Sequence, residues 1–257
     1  MAGGNNYVLW CLNTSSQVIA IDTNGNSITK STPEFATQLG ISENGTVWAL
    51  STEDDPDGGG AKIFWSEGDG NWNEIATSDP GGIKLCGYIN DECLYQTSQG
   101  AIFRLNTDGA ASHYYNVPGD IILSFDYGGG YFWASLIQNG NAPKLSFAPI
   151  NKLSLRPVNY ESAPSSFSVN SHGDCVALLN GNPVIFPSGG GQPTHLGASI
   201  NGMGMLISSK SWSYLLSLVA DVHGNKILKW VDEQGGIWQD TGWHASRVLS
   251  TYHQYGK

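Results

Sequence analysis

The sequence predicts an all-β fold, a six-bladed β-propeller of four-stranded antiparallel blades, and three observations lead there. First, a Gly-Asn or Gly-Ala phrase running into an aliphatic stretch occurs six times, at Gly25-Asn26, Gly60-Ala61, Gly100-Ala101, Gly140-Asn141, Gly181-Asn182 and Gly224-Asn225. Successive glycines stand 35, 40, 40, 41 and 43 residues apart, and a period near forty built from short apolar runs marks one small sheet per repeat. Second, those runs alternate apolar with polar and are bounded by Gly, Asn, Asp and Pro, as half-buried antiparallel strands are. Third, 33 of the 257 residues are Gly and 11% are aromatic, which suits one compact all-β domain with many tight turns.

The elements follow in order within a single domain, 1–257. Blade one takes residues 7–35, with Leu12 through Ile21 setting its frame; only Ser31-Thr32-Pro33-Glu34-Phe35 separates it from Ala36, too short for a fourth strand. The run Arg247 to His253 is left without a blade, so residues 247–254 are expected to pair with blade one, closing the ring and covering an exposed edge. Blade two spans 36–80; its Leu39–Leu50 stretch aligns without a gap on Phe167–Leu178 of blade five, 164–200. Blade three spans 82–118, and blade four, 120–162, keeps the second half of the frame at Tyr131-Phe132-Trp133-Ala134. Fourth strands are expected at Trp72–Thr77, Ser112–Val117, Leu155–Tyr160, Pro193–Gly197 and Gly236–Asp240. In blade six, 203–243, the leucines of Ser211–Val222 fit a helix as well as a strand, and the His223-Gly224-Asn225 turn favours the strand.

Charge and composition exclude several function classes. The formal charge of −10 argues against attraction to nucleic acid or an anionic membrane. No stretch approaches the twenty or so apolar residues that span a bilayer, and Met1 to Asn6 lacks the regions of a signal peptide. A cytoplasmic protein is expected, released, if at all, by a non-classical route. Cys11, Cys86, Cys93 and Cys175 sit inside apolar strands without Cys-x-x-Cys spacing and read as buried thiols.

The phrases Ile41-Ser42-Glu43-Asn44-Gly45-Thr46-Val47-Trp48-Ala49-Leu50 and Trp72-Asn73-Glu74-Ile75, the latter leading through Gly81-Gly82 into the next blade, resemble tectonin repeats. The tryptophan of the second strand is kept at Trp48 and Trp133 and replaced by Ile19 and Val176 in other blades. The resemblance implies a propeller lectin of defensive or self-recognition type, a binder of glycans.

Two sets of residues are candidates for the sugar. The second turn of each blade lies at the end that also carries the connection to the next blade, and Asn26, Asn141, Asn182 and Asn225 place amide donors and acceptors there, suited to vicinal hydroxyls. The same Asn-Gly-Asn residues also simply make hairpins, because they tolerate positive φ. Trp48 and Trp133 alternate into the core, whereas Trp65, Trp72, Trp230 and Trp238 fall in outer strands or turns, as apolar platforms for a sugar face or as staples between blades.

Catalysis finds little footing. The stretch Ser42 to Trp48 is one residue short of the sialidase box and carries Asn44 where the box has Asp, and Arg104, Arg156 and Arg247 fall on strands away from the axis. No metal-ligand spacing or nucleophile elbow occurs among the six histidines and the serines. The acidic Glu53–Gly60 loop, the best cation candidate, has no EF-hand spacing and reads as a solvated insertion. The expectation is a non-enzymatic lectin that recognises methylated or cell-surface glycans through several weak sites, with no cofactor, metal, nucleic acid or membrane insertion. A propeller scaffold for a protein partner, and after it a propeller hydrolase, are the alternatives.

Overall fold

A computed structural model describes residues 7–12, 17–22, 27–30, 36–54, 60–75, 82–152, 154–160, 164, 166–179, 182–196, 203–208, 214–220, 226–232, 239–244 and 247–251. These residues form strands and turns with no helix among them, and the strands fall into two compact units, 1–118 with 249–257, and 119–248. No helix among the described residues is long and apolar enough to cross a membrane.

In the first unit, β1 (Tyr7–Leu12), β2 (Val18–Asp22) and β3 (Ser27–Lys30) make a meander, and β24 (Arg247–Thr251) joins it in the order β24-β1-β2-β3. The C-terminal run therefore supplies the strand before β1, not one after β3. The short segment 31–35 explains the shortage of strands, and β1 is the edge that gains a partner. Deleting residues 247–257 should lower the melting temperature, because β1 loses a ladder and exposes its edge. Equal melting of the truncated and full chains would contradict this sheet order.

Next come β4 (Ala36–Ile41), β5 (Val47–Asp54), β6 (Ala61–Ser66) and β7 (Asn73–Ile75), then β8 (Gly82–Gly87), β9 (Cys93–Thr97), β10 (Ile102–Leu105) and β11 (Ala111–Tyr115). Each set of four is an antiparallel meander, and the single pair Ala61–Gly82 links them into one eight-stranded sheet. Side chains alternate across β6 as a strand requires. Phe64 joins a core with Trp10, Val18, Leu39, Ile41 and Val47 on one face, while Ile63 joins Trp48, Leu50, Leu85, Tyr95 and Leu105 on the other.

The second unit holds β12 (Asp120–Gly128), β13 (Tyr131–Gln138), β14 (Lys144–Pro149) and β15 (Arg156–Pro157); β16 (Ser166–Val169), β17 (Cys175–Leu179), β18 (Asn182–Phe186) and β19 (Thr194–His195); and β20 (Met203–Ser208), β21 (Tyr214–Ala220), β22 (Lys226–Asp232) and β23 (Gln239–His244). Each group of four pairs in sequence order as a four-stranded antiparallel sheet. The leucine-rich segment is the strand β21, and three of the fourth strands are short: β7 has three residues, β15 and β19 two each.

Successive sheets are drawn together where their first strands run close, and glycine makes the approach possible. A Cβ built on Gly87 would lie 2.0 Å from the carbonyl oxygen of Ile41, and one on Gly40 would lie 2.4 Å from the Gly87 nitrogen. Beside this contact the Gln38 side chain replaces a missing ladder: its Oε1 accepts from the Leu85 N–H at 2.9 Å, and its Nε2 donates to the Ile83 carbonyl at 3.3 Å. The second unit repeats the arrangement with other residues. Asp126 Oδ2 accepts from the Val169 N–H at 2.8 Å and from Ser168 Oγ at 3.2 Å, and a Cβ on Gly128 would lie 2.4 Å from the Asn170 carbonyl oxygen.

Trp48 and Trp133 are fully buried, as expected of the second strands. The Trp48 indole N–H donates to Ser42 Oγ at 2.9 Å; the Trp133 N–H donates to the Gly173 carbonyl at 2.8 Å, and its ring stacks on Phe147 with centroids 4.7 Å apart. Cys86, Cys93 and Cys175 are buried free thiols, and burial pushes the Cys93 thiol pKa well up. Cys11 lies on β1, its side chain outside the described residues.

Candidate functional site

Strand direction decides which turns can cooperate. In a meander of four, the turn after the first strand and the turn after the third come out at one end, and the second turn comes out at the other. In the first unit the first and third turns of the β4–β7 and β8–β11 meanders enclose a cleft of about 270 Å³, lined by Asn44, Gly45, Thr46, Trp65, Glu67, Asp91 and Thr107. The backbones on its two sides are fixed to one another. The Glu43 N–H donates to the Tyr88 carbonyl at 3.0 Å, and the Asn44 N–H donates to that of Asn90 at 3.1 Å.

Trp65 stands opposite Trp48 in the β5–β6 register, so both rings lie on the same face of the sheet. Trp48 is the buried member, and Trp65, one strand further out, packs on the same core while remaining half-buried beside the cleft. Gly45, with φ at 95°, lets the first turn close, and Asn44 Oδ1 accepts from the Thr46 N–H at 3.0 Å. That bond leaves the Asn44 amide donor free for another partner. On the other wall Thr107 Oγ1 donates to Asp91 Oδ2 at 3.2 Å, orienting the carboxylate.

The turn bearing Glu67 is held by Asp69, whose Oδ1 accepts from the Asn71 N–H at 2.8 Å and from Ser66 Oγ at 3.2 Å. Hydrogen bonding from Asn71 outweighs desolvation and lowers the Asp69 carboxyl below its ordinary range. Behind the Asp91 wall, Glu92 lies 3.5 Å from the Arg104 guanidinium, and desolvation raises its pKa against the pull of that cation. Ser42 Oγ, which takes the Trp48 N–H, donates in turn to the Glu92 carbonyl, so the buried indole is tied to the neighbouring meander.

The residues expected from sequence to meet a sugar are dispersed. Trp65 lines the cleft. Trp72, on the same meander, packs against the opposite core, that of Trp10 and Val18, and its buried indole N–H meets no acceptor among the described residues. The two indoles therefore serve different faces.

Asn141 is exposed in the β13–β14 hairpin, where Asn139 and Gly140 have φ of 50° and 74°. Both its backbone N–H and its Nδ2 donate to the Gln138 carbonyl, at 3.0 and 2.9 Å, so its amide donor is engaged in closing the turn. Asn182 opens β18, paired with Leu179 and exposed. Both asparagines lie at the second-turn end of their own sheets, whereas Trp65 lies at the first- and third-turn end of its own. Trp230 is on β22, its side chain not described, and Asn26, Asn225, Trp238 and residues 55–59 of the acidic loop lie outside the described residues. Among the described residues no group of three or more His, Cys, Asp or Glu is placed to hold a metal.

Sequence reading missed Asn44, Thr46, Glu67, Asp91 and Thr107 as site residues. The signal was strand parity: with strands placed, the first and third turns must share an end, and both carry Asn-Gly or Asp-Gly segments, Asn44-Gly45 and Asp108-Gly109 among them.

No family model matches the chain, and no curated protein matches it. Solved structures do resemble it. A chain in the crystal structure of a nidogen/laminin complex aligns with a TM-score of 0.60 at 11% identity, over 96% of this chain and 93% of that one. TolB from Acinetobacter baumannii aligns with a TM-score of 0.65 at 12% identity, over 96% of this chain and 66% of TolB. These structures are β-propellers, and with its antiparallel meanders of four strands this chain shares that class of fold.

Proposed function

We propose that this chain is a non-catalytic carbohydrate-binding propeller of tectonin type, with six blades closed by β24, recognising methylated or cell-surface glycans through several weak sites. The observation that carries the reading is the cleft. It sets a half-buried indole, Trp65, among hydroxyl, amide and carboxylate groups of Thr46, Thr107, Asn44, Glu67 and Asp91. An indole takes the apolar face of a pyranose or a methyl substituent, and the polar groups take its hydroxyls. At about 270 Å³ the space lies just under the usual range for small-ligand sites, about 300–1,000 Å³, and admits one sugar ring. In this reading the amides of Asn26, Asn141, Asn182 and Asn225 and the indoles of Trp72, Trp230 and Trp238 are further, separate contacts. Several modest sites on one protein then gain by effective concentration at a glycan-coated surface.

A glycan array spanning neutral, methylated, amino and sialylated sugars tests the reading. The parent chain should give hits that free sugar competes away. Trp65→Ala should weaken monovalent binding about fivefold to tenfold, as expected for one lost aromatic contact of about 1 kcal/mol. Unchanged affinity in that variant would remove the cleft from the reading, and silence of the parent across the array would overturn it. Silence would favour the second reading, a scaffold for a protein partner, which rests on Ile121 and Leu123, 58% and 39% exposed on the edge strand β12.

A further inference from the structure

We infer that the Trp65 cleft selects glycans bearing a free amine, hexosamine units with an unacylated ammonium group, over neutral and anionic ones. The inference rests on the lectin reading above and narrows its ligand. Two carboxylates, Glu67 and Asp91, line the cleft together with the Trp65 indole, and among the described residues neither is in an ion pair. Arg104 is engaged by Glu92 at 3.5 Å and Lys62 by Glu74 at 3.8 Å, while Lys84 lies near the start of β8, away from the Asp91 turn that follows the end of that strand. The cleft thus carries two carboxylates that no cation among the described residues pairs with, in a chain of formal charge −10.

Such a site treats three sugar classes differently. A sialylated or sulfated glycan meets like charge and is repelled. A neutral hydroxyl can donate to either carboxylate, but both oxygens and hydroxyl are well hydrated beforehand and the net gain is small. An ammonium group gains a charge-assisted hydrogen bond to a carboxylate, about twice as strong as a neutral one, and attraction to the indole face within about 6 Å. Asp91 is oriented for this by the Thr107 hydroxyl on its Oδ2, which leaves Oδ1 as acceptor. The hydroxyl of Thr46 and the amide donor of Asn44 remain for the ring oxygens and hydroxyls beside the amine.

The test compares β-1,4-linked glucosamine trimer with its fully N-acetylated form, titrated into the full chain by calorimetry at about pH 6 and about pH 9.5, on either side of a typical amine pKa. The amine trimer should bind about tenfold tighter than the acetylated one at the lower pH, and the ratio should fall towards one at the higher pH. Glu67→Gln with Asp91→Asn, which keeps the acceptor for Thr107, should bring the ratio towards one already at the lower pH; Glu74→Gln, a carboxylate outside the cleft, should not. If the double variant misfolds, Glu67→Gln alone should lower the ratio, since Glu67 is exposed at the rim. Equal binding of the two trimers, or a ratio indifferent to Glu67 and Asp91, would overturn the inference and leave the lectin reading standing. Failure of both trimers and of every arrayed glycan would overturn both. Tight binding of N-acetyl-lysine methylamide in place of the amine trimer would overturn the inference in favour of a lysine-bearing peptide as the ligand.

Discussion

Gly87→Ala is expected to prevent folding at physiological temperature or to cost several kcal/mol, because the added methyl would lie 2.0 Å from the Ile41 carbonyl oxygen and 2.7 Å from the Ser42 nitrogen. Backbone atoms at such distances cannot swing aside as a flexible side chain would. β4 and β8 must separate, and the Glu43–Tyr88 and Asn44–Asn90 hydrogen bonds that build the cleft separate with them. Gly100→Ala is the control. Gly100 also has an unusual backbone, φ at 89°, but a Cβ there meets nothing within 4 Å, so only the strain of a left-handed alanine remains, about 1–2 kcal/mol. Urea denaturation of the two variants should therefore rank Gly87→Ala well below Gly100→Ala. The reverse ranking would show that the first strands do not approach as described.

Trp133→Ala is expected to cost about 3–5 kcal/mol, the range for removing a large aromatic side chain from a packed core. Trp133 is wholly buried, stacked on Phe147, and its loss also leaves the Gly173 carbonyl without its 2.8 Å donor. Trp133→Phe separates the two effects. It retains a ring against Phe147 and removes the hydrogen bond, so it should cost less than half as much. Two variants of equal stability would mean that the hydrogen bond, not the packing, dominates at this position.

The asymmetry between what sequence and structure disclose has a physical origin. Strands were legible because alternation and Gly-Asn punctuation are local: the leucine-rich run resolves into β21 because a turn follows it, and Trp48 and Trp133 are buried because second strands are central. The need for a C-terminal strand in the sheet of β1–β3 was legible from chain length alone, since residues 31–35 could not supply one. Its side was not, because a shortage of one strand does not say which edge lacks a partner.

The cleft was hidden for a different reason. Asn44, Thr46, Glu67, Asp91 and Thr107 come from four turns of two meanders and meet only through strand parity and the glycine-permitted approach of β4 to β8. Asn44-Gly45-Thr46 looked like turn chemistry, and it is, with Asn44 Oδ1 closing the turn. Trp65 and Trp72 looked alike because both are outer tryptophans. They differ because Trp72 stands one residue before Asn73, the residue paired with Trp65, so alternation sends one ring to the Trp48 core and the other to the Trp10 core.

Indole N–H resonances of the 15N-labelled full chain, followed during titration with glucosamine trimer and its N-acetylated form, report whether the Trp65 cleft receives a sugar. The Trp65 indole signal, assigned by its loss in Trp65→Phe, should move with the fraction bound. The signals of Trp48 and Trp133, buried and hydrogen-bonded to Ser42 and Gly173, should stay in place. Saturable binding of either trimer that leaves the Trp65 signal unmoved would contradict sugar binding in the cleft.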